Sequence, residues 1–250
     1  MSDYHPQARS IPADRADMAV DAGLRSFMLG VYNKMSLGLL LSATLAYASV
    51  TVEPIAQFVF GTPFYFVVLF GPLAILLVSS FVMRNPSPVA ANIVYWSVVS
   101  LMGISLGAIL MSYARAPDGI ATIAKAFLTT AVSFGALSLW GYTTKRDLTG
   151  FGTFLMMGLF GLIAAMLVNF GFAAFTGHEI TGLSLAISVI GVLVFAGLTA
   201  YDTQALKFSY YQLGGNARGM AVATTYGALR LYLDFINLFL FILRLMGGRR

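Results

Sequence analysis

Seven stretches of this chain, 35–52, 64–83, 89–113, 120–142, 151–175, 182–205 and 222–246, are continuously apolar. Each is about 20 residues long, the length that carries an α-helix across the hydrocarbon of a bilayer. Strands of a membrane barrel would run to about 10 residues and alternate in polarity. The pattern therefore predicts an all-α integral membrane protein, a seven-transmembrane-helix bundle. Composition agrees: 58% of the residues are hydrophobic and only 10% are charged. So few charges cannot cover a water-exposed surface, and lipid must be the solvent for most of the chain. The connectors are short and carry turn residues, such as Arg84-Asn85-Pro86-Ser87-Pro88, Ala116-Pro117-Asp118-Gly119 and Leu213-Gly214-Gly215-Asn216. They leave no room for a separate catalytic domain.

Residues 1–24 are polar and mixed in charge. No apolar core follows a basic start, so we expect a flexible cytoplasmic tail rather than a signal peptide, with one transmembrane domain over 25–250. The net charge of +5 does not point to nucleic acid, because the basic residues stand singly or in pairs at span ends. Their distribution sets orientation instead. With the N-terminus inside, the inner loops hold Arg84, Lys145, Arg146, Lys207 and Arg218, and the outer loops hold Arg115. Arg25 and Lys34, ahead of the first span, agree. Arg249 and Arg250 disagree, since seven spans place them outside. A six-span form with a re-entrant last segment stays open.

Charged residues within apolar stretches are the functional candidates, because each costs about 2.5–3.5 kcal/mol near the bilayer centre. Lys125 has a long stem and is expected to snorkel to the interface. Asp202 lies in Tyr201-Asp202-Thr203-Gln204, towards the inner end of the sixth stretch. Asp234 has apolar neighbours on both sides and follows Arg230 by one helical turn. Arg230, Asp234 and Asn237 share one stripe of the last helix, which should face the bundle interior or a wet cavity.

Two readings of Asp234 stay open. One is an intrahelical pair with Arg230, which only eases insertion. The other joins it to Asp202 at similar depth. Two carboxylates that close in low dielectric cannot both ionise cheaply, so they would share a proton and act as a pH-sensitive latch. Arg84, closing the second span at the same face, would offer a fixed positive charge to whichever carboxylate ionises. Asn237, Thr199, Tyr226 and Arg230 would line a cation path beside the pair. Calcium would take oxygen ligands from Asp202 and Asp234.

Leu231-Tyr232-Leu233-Asp234-Phe235-Ile236-Asn237-Leu238-Phe239, followed by Arg244, resembles the C-terminal helix signature of the Bax inhibitor-1 family, also called the transmembrane Bax-inhibitor-motif family. Tyr201-Asp202-Thr203-Gln204 resembles its sixth-span motif, and Lys145-Arg146-Asp147-Leu148 its loop between spans four and five. Arg84 falls where bacterial members carry a basic residue closing span two. The resemblance runs from about residue 25 to 247. It implies a seven-helix bundle whose last helix is central and wrapped by the other six, in a bacterial inner membrane. It also implies a pH-sensitive calcium leak, with Asp202 and Asp234 as the proton-sensing dyad and Arg84 as a latch. No cofactor is expected, calcium being the permeant ion. Some members place an acidic residue inside span two, but residues 69–77 have none, so a latch scheme that needs one does not carry over.

Rival functions are weighed from the same residues. Intramembrane aspartyl proteases also pair two aspartates on adjacent helices, but their second motif is Gly-x-Gly-Asp. Here it is Leu231-Tyr232-Leu233-Asp234, too bulky for a substrate backbone to approach, so no enzyme is expected. The only histidines are His5 and His178, so no span offers a histidine base. A membrane regulator that binds another membrane protein, such as the membrane-bound AAA protease linked to related bacterial members, remains the alternative. Gly103 and Gly107 form a GxxxG pair, read as close packing between helices of one bundle.

Overall fold

The computed structural model describes residues 13–83 and 85–248, with residues 13–21 as backbone only. Among the described residues every regular element is an α-helix: α1 (Ala13–Thr51), α2 (Glu53–Gly61), α3 (Phe64–Val82), α4 (Pro88–Ala114), α5 (Gly119–Thr143), α6 (Thr149–Thr176), α7 (Thr181–Leu213) and α8 (Ala217–Gly247).

Local chemistry sets the boundaries. Pro54, in the first turn of α2, cannot continue the hydrogen bonding of α1, and α2 turns away from α1 by 91°. α4 opens on Ser87, whose hydroxyl accepts from the backbone N–H of Ala90 at 3.1 Å, with Pro88 in the first turn. The α7–α8 connection is tight because Gly214 and Gly215 take φ values of 54° and 83°. Asn216 then caps α8 by accepting from the N–H of Gly219 at 3.0 Å.

The helices pack around α8, which lies against α1, α4, α5 and α7. Leu231, Tyr232 and Leu243 of α8 are fully buried. The expectation that all six other spans wrap the last helix needs correcting: α3 rests on α2 and α4, and α6 rests on α7 alone. These peripheral helices turn Phe81, Phe160, Phe170 and Phe175 outward, mostly exposed. Such a surface suits the hydrocarbon of a bilayer.

Gly103 and Gly107 bring α4 against α1. A Cβ at Gly103 would stand 2.6 Å from the Cα of Ser42, and one at Gly107 would stand 2.7 Å from the carbonyl oxygen of Ala46. The GxxxG pair thus serves packing within the chain.

The seven-span count is not confirmed. Five helices (α3 to α7) are long and apolar enough to cross a membrane, and the bent pair α1–α2 makes a sixth when counted as one span. α8 is not among them. It carries Arg218, Arg230, Asp234 and Arg244, and neighbouring helices enclose much of it.

Two sequence expectations meet the edge of the described residues. α1 already begins at Ala13, within the stretch 1–24 read as tail, and Leu24 is part of the core. Residues 1–12, Arg84, Arg249 and Arg250 lie outside the described residues, so the Arg84 latch receives no structural account.

Candidate functional site

α7 supplies Asp202, and α8 supplies Arg230 and Asp234. Their carboxyls face each other across the α7–α8 interface, close enough that either, when protonated, can donate to the other. Asp234 is 5% exposed, and its Oδ2 has no hydrogen-bond partner among the described residues. Asp202 sits nearer the surface, with 14% of its side chain exposed. Arg230 Nη1 lies 3.9 Å from Asp202 Oδ1, and its side chain is 63% exposed.

In this arrangement the ion pair of Arg230 runs to Asp202 and not to Asp234. The cation on its own helix makes its ion pair across to α7, with Asp202. Asp234 faces inward, with the Asp202 carboxyl as its ionisable neighbour on α7. The spacing of 230 and 234 puts both on one side of the helix, but the long arginine reaches outward while the short aspartate stays inside.

The other candidates separate. Thr199 is fully buried, and its hydroxyl donates to the Phe195 carbonyl at 2.8 Å, within α7. Asn237 is half-buried and donates from Nδ2 to the Leu233 carbonyl at 2.8 Å, within α8. Both hydrogen-bond a carbonyl of their own helix. Tyr226 is half-buried near the start of α8, and Lys125 is exposed on α5.

Sequence reasoning missed several buried polar links. Gln204, two residues after Asp202, accepts from the Leu148 N–H and donates to the Arg146 carbonyl, both at 2.8 Å. The sixth-span motif therefore fastens the 145–148 loop motif by a two-ended amide clamp. Lys34, read only as an orientation signal, donates from Nζ to Asn92 Oδ1 at 2.6 Å and to Thr225 Oγ1 at 2.8 Å, tying α1 to α4 and α8. The Ser42 and Tyr232 hydroxyls meet at 2.7 Å inside the core. Asn169 of α6 donates to Ser184 Oγ at 2.9 Å and accepts from the Ile180 N–H at 3.0 Å. The available signal was a lone amide or cation in an apolar run, the same signal that singled out Asp234.

A buried carboxyl pair between the last two helices, in a bundle whose outer face is apolar, defines a polytopic helical membrane protein with an ionisable core. The family model described as inhibitor of apoptosis-promoting Bax1 matches residues 24–250. The chain belongs to that family, the Bax inhibitor-1 family, as the motifs in its last two helices indicated. An uncharacterized protein of Caulobacter vibrioides is 52% identical over 260 residues, covering 100% of both chains. The uncharacterized protein RP147 of Rickettsia prowazekii is 40% identical over 250 residues, again covering 100% of both. Inner membrane protein YbhL of Escherichia coli (strain K12) is 39% identical over 253 residues, covering 99% of this chain and 100% of its own length.

Proposed function

We propose that this protein is a pH-sensitive calcium leak pathway in a bacterial inner membrane, N-terminus cytoplasmic, gated by Asp202 and Asp234. The observation that carries the reading is the direct meeting of these carboxyls across the α7–α8 interface, with Asp234 almost fully buried. Ionising both would leave two anions in a low-dielectric site served by one exposed guanidinium, which is unfavourable. In the closed state the pair therefore shares a proton and holds α7 to α8. When that proton leaves, the carboxylates repel, Arg230 keeps Asp202, and the helix packing that separates Asp234 from Asp202 becomes favoured. The freed carboxylate oxygens suit calcium, a hard cation.

The described conformation fits the closed member of this pair of states. Beyond Asp234, α8 is packed by Leu238, Phe239, Phe241, Ile242 and Leu243, all buried, which bars a hydrated ion. The reading assigns the aspartates no hydrolytic role, since fully buried Leu231 and Tyr232 leave no approach for a peptide. The inner-membrane setting is supported by the name of the Escherichia coli relative and by the Lys/Arg asymmetry of the loops.

The test is calcium entry into liposomes holding the purified protein, read with a trapped dye across pH. Flux above protein-free liposomes that changes with pH supports the reading. Background flux at every pH would overturn it in favour of the regulator that binds another membrane protein, such as a membrane-bound AAA protease.

A further inference from the structure

α1 and α5 both pack on α8 but not on each other. The gap between them is a cavity of about 610 Å³ floored by Phe235. One face of α1, from Arg25 through Tyr32 to Leu39, forms one wall, and α5 from Phe127 to Tyr142 forms the other. A second cavity of about 630 Å³ continues the gap and shares Leu39, Phe127 and Phe235 with the first. The two meet where Phe127 stands edge-on to Phe235, ring centres 5.6 Å apart.

The first cavity is graded along its length. Arg25 and Tyr142 stand at one end, and Leu39 and Phe127 at the other. Arg25 is exposed and has no ion-pair partner among the described residues. From Arg25 to Leu39 the helix rises about 21 Å at 1.5 Å per residue. One leaflet, headgroup included, is also about 20–22 Å deep. The lining is mostly apolar, and its polar side chains include Arg25 and Tyr142 at one end. An open, mostly apolar gap on the face of a membrane bundle suits a lipid chain.

We propose that this groove is a binding site for one anionic phospholipid of the leaflet at the Arg25 end. The phosphate pairs with Arg25, and an acyl chain lies between α1 and α5 against Phe235. The site is independent of the calcium reading, although its floor is the residue that follows Asp234. An occupied groove braces α1 and α5 on the helix that carries the buried carboxyl.

Gly135 gives a clean test. It lines the groove, and a Cβ built there meets nothing within 4 Å. Gly135→Leu therefore projects a bulky side chain into the groove from an unobstructed Cβ. Gly161 of α6 is equally open but lies outside the cavity, so Gly161→Leu is the control. The full-length protein in detergent is titrated with phosphatidylglycerol or phosphatidylcholine of identical chains, and bound lipid is counted by native mass spectrometry. The wild type should retain phosphatidylglycerol about fivefold better than phosphatidylcholine, the attraction of one basic residue for anionic lipid. Arg25→Gln should abolish that preference. Gly135→Leu should lose both lipids, and Gly161→Leu should behave as wild type. Equal retention of the two lipids by the wild type overturns the proposal, as does a Gly135→Leu protein that binds like the wild type. Should Gly135→Leu not fold, the exposed Arg25→Gln decides: an unchanged preference overturns the proposal.

Discussion

Arg230 reaches across from α8 to Asp202 of α7, 3.9 Å away, rather than to Asp234 one turn along its own helix. The consequence is a division of labour between two carboxyls. Asp202 has a cation at the surface, while Asp234 faces the Asp202 carboxyl and has an Oδ2 with no partner among the described residues. Changes to one member must be felt by the other.

Asp202→Asn and Asp234→Asn should each flatten the pH dependence of calcium flux, and the double variant should add little, as for members of one network. In the wild type a difference of about 1.4 kcal/mol between the two packings corresponds to a tenfold change in population. Normal pH profiles in both single variants, or effects that simply add, would dismiss the pair as the sensor.

Arg230→Gln should cost about 1 kcal/mol of stability, because the guanidinium is mostly exposed and stands 3.9 Å from Asp202, at the long end of an ion pair. The same change should still alter the pH profile of flux, since the cation favours an ionised Asp202. Thermal unfolding in detergent and liposome flux together check this. A large loss of stability would show that Arg230 is structural.

Gly103→Leu should destabilise the bundle by about 1–3 kcal/mol or prevent folding, because the added side chain meets the backbone of Ser42 in α1. Gly161→Leu, in open space, should leave the unfolding temperature near that of wild type. Equal unfolding temperatures for the two variants would contradict the α1–α4 packing described.

Gln204→Leu removes both hydrogen bonds to the 145–148 loop and strands two backbone groups, a loss of about 1–3 kcal/mol of local order. Trypsin should then cut after Lys145 or Arg146 roughly tenfold or more faster, following local opening. Unchanged cleavage would mean that the loop is held by other contacts.

Asp147, in the same loop, accepts from the hydroxyl and the N–H of Thr149 at 2.6 and 2.9 Å. These bonds hold its carboxyl below the usual carboxylate range. A lowered value in the folded state means that its contribution is present above the ordinary carboxylate range and lost as pH falls through the lowered value. Cleavage of the wild-type loop, corrected for the protease's own pH dependence, should therefore stay constant between about pH 6 and 8. A marked change in that window would place a titrating group at the loop.

By itself, the sequence determined the helical class, the membrane setting, the approximate extent of the apolar helices and the two carboxyls that do not belong in lipid. Those properties are local: a helix satisfies its backbone within its own segment, and a charge in an apolar run is costly wherever that run packs. It did not determine how many crossings the bundle makes, because α1 bends into α2 at Pro54 and α8 is charged and enclosed. Nor did it determine which groups meet. Lys34 finds Thr225 across 191 positions, and Gln204 finds Leu148 across 56. The intrahelical option for Arg230 looked as good on spacing alone as the cross-helix one. Only the packing of α7 and α8 turns Arg230 towards Asp202, and only the separation of α1 from α5 opened the groove, because both depend on which helices become neighbours.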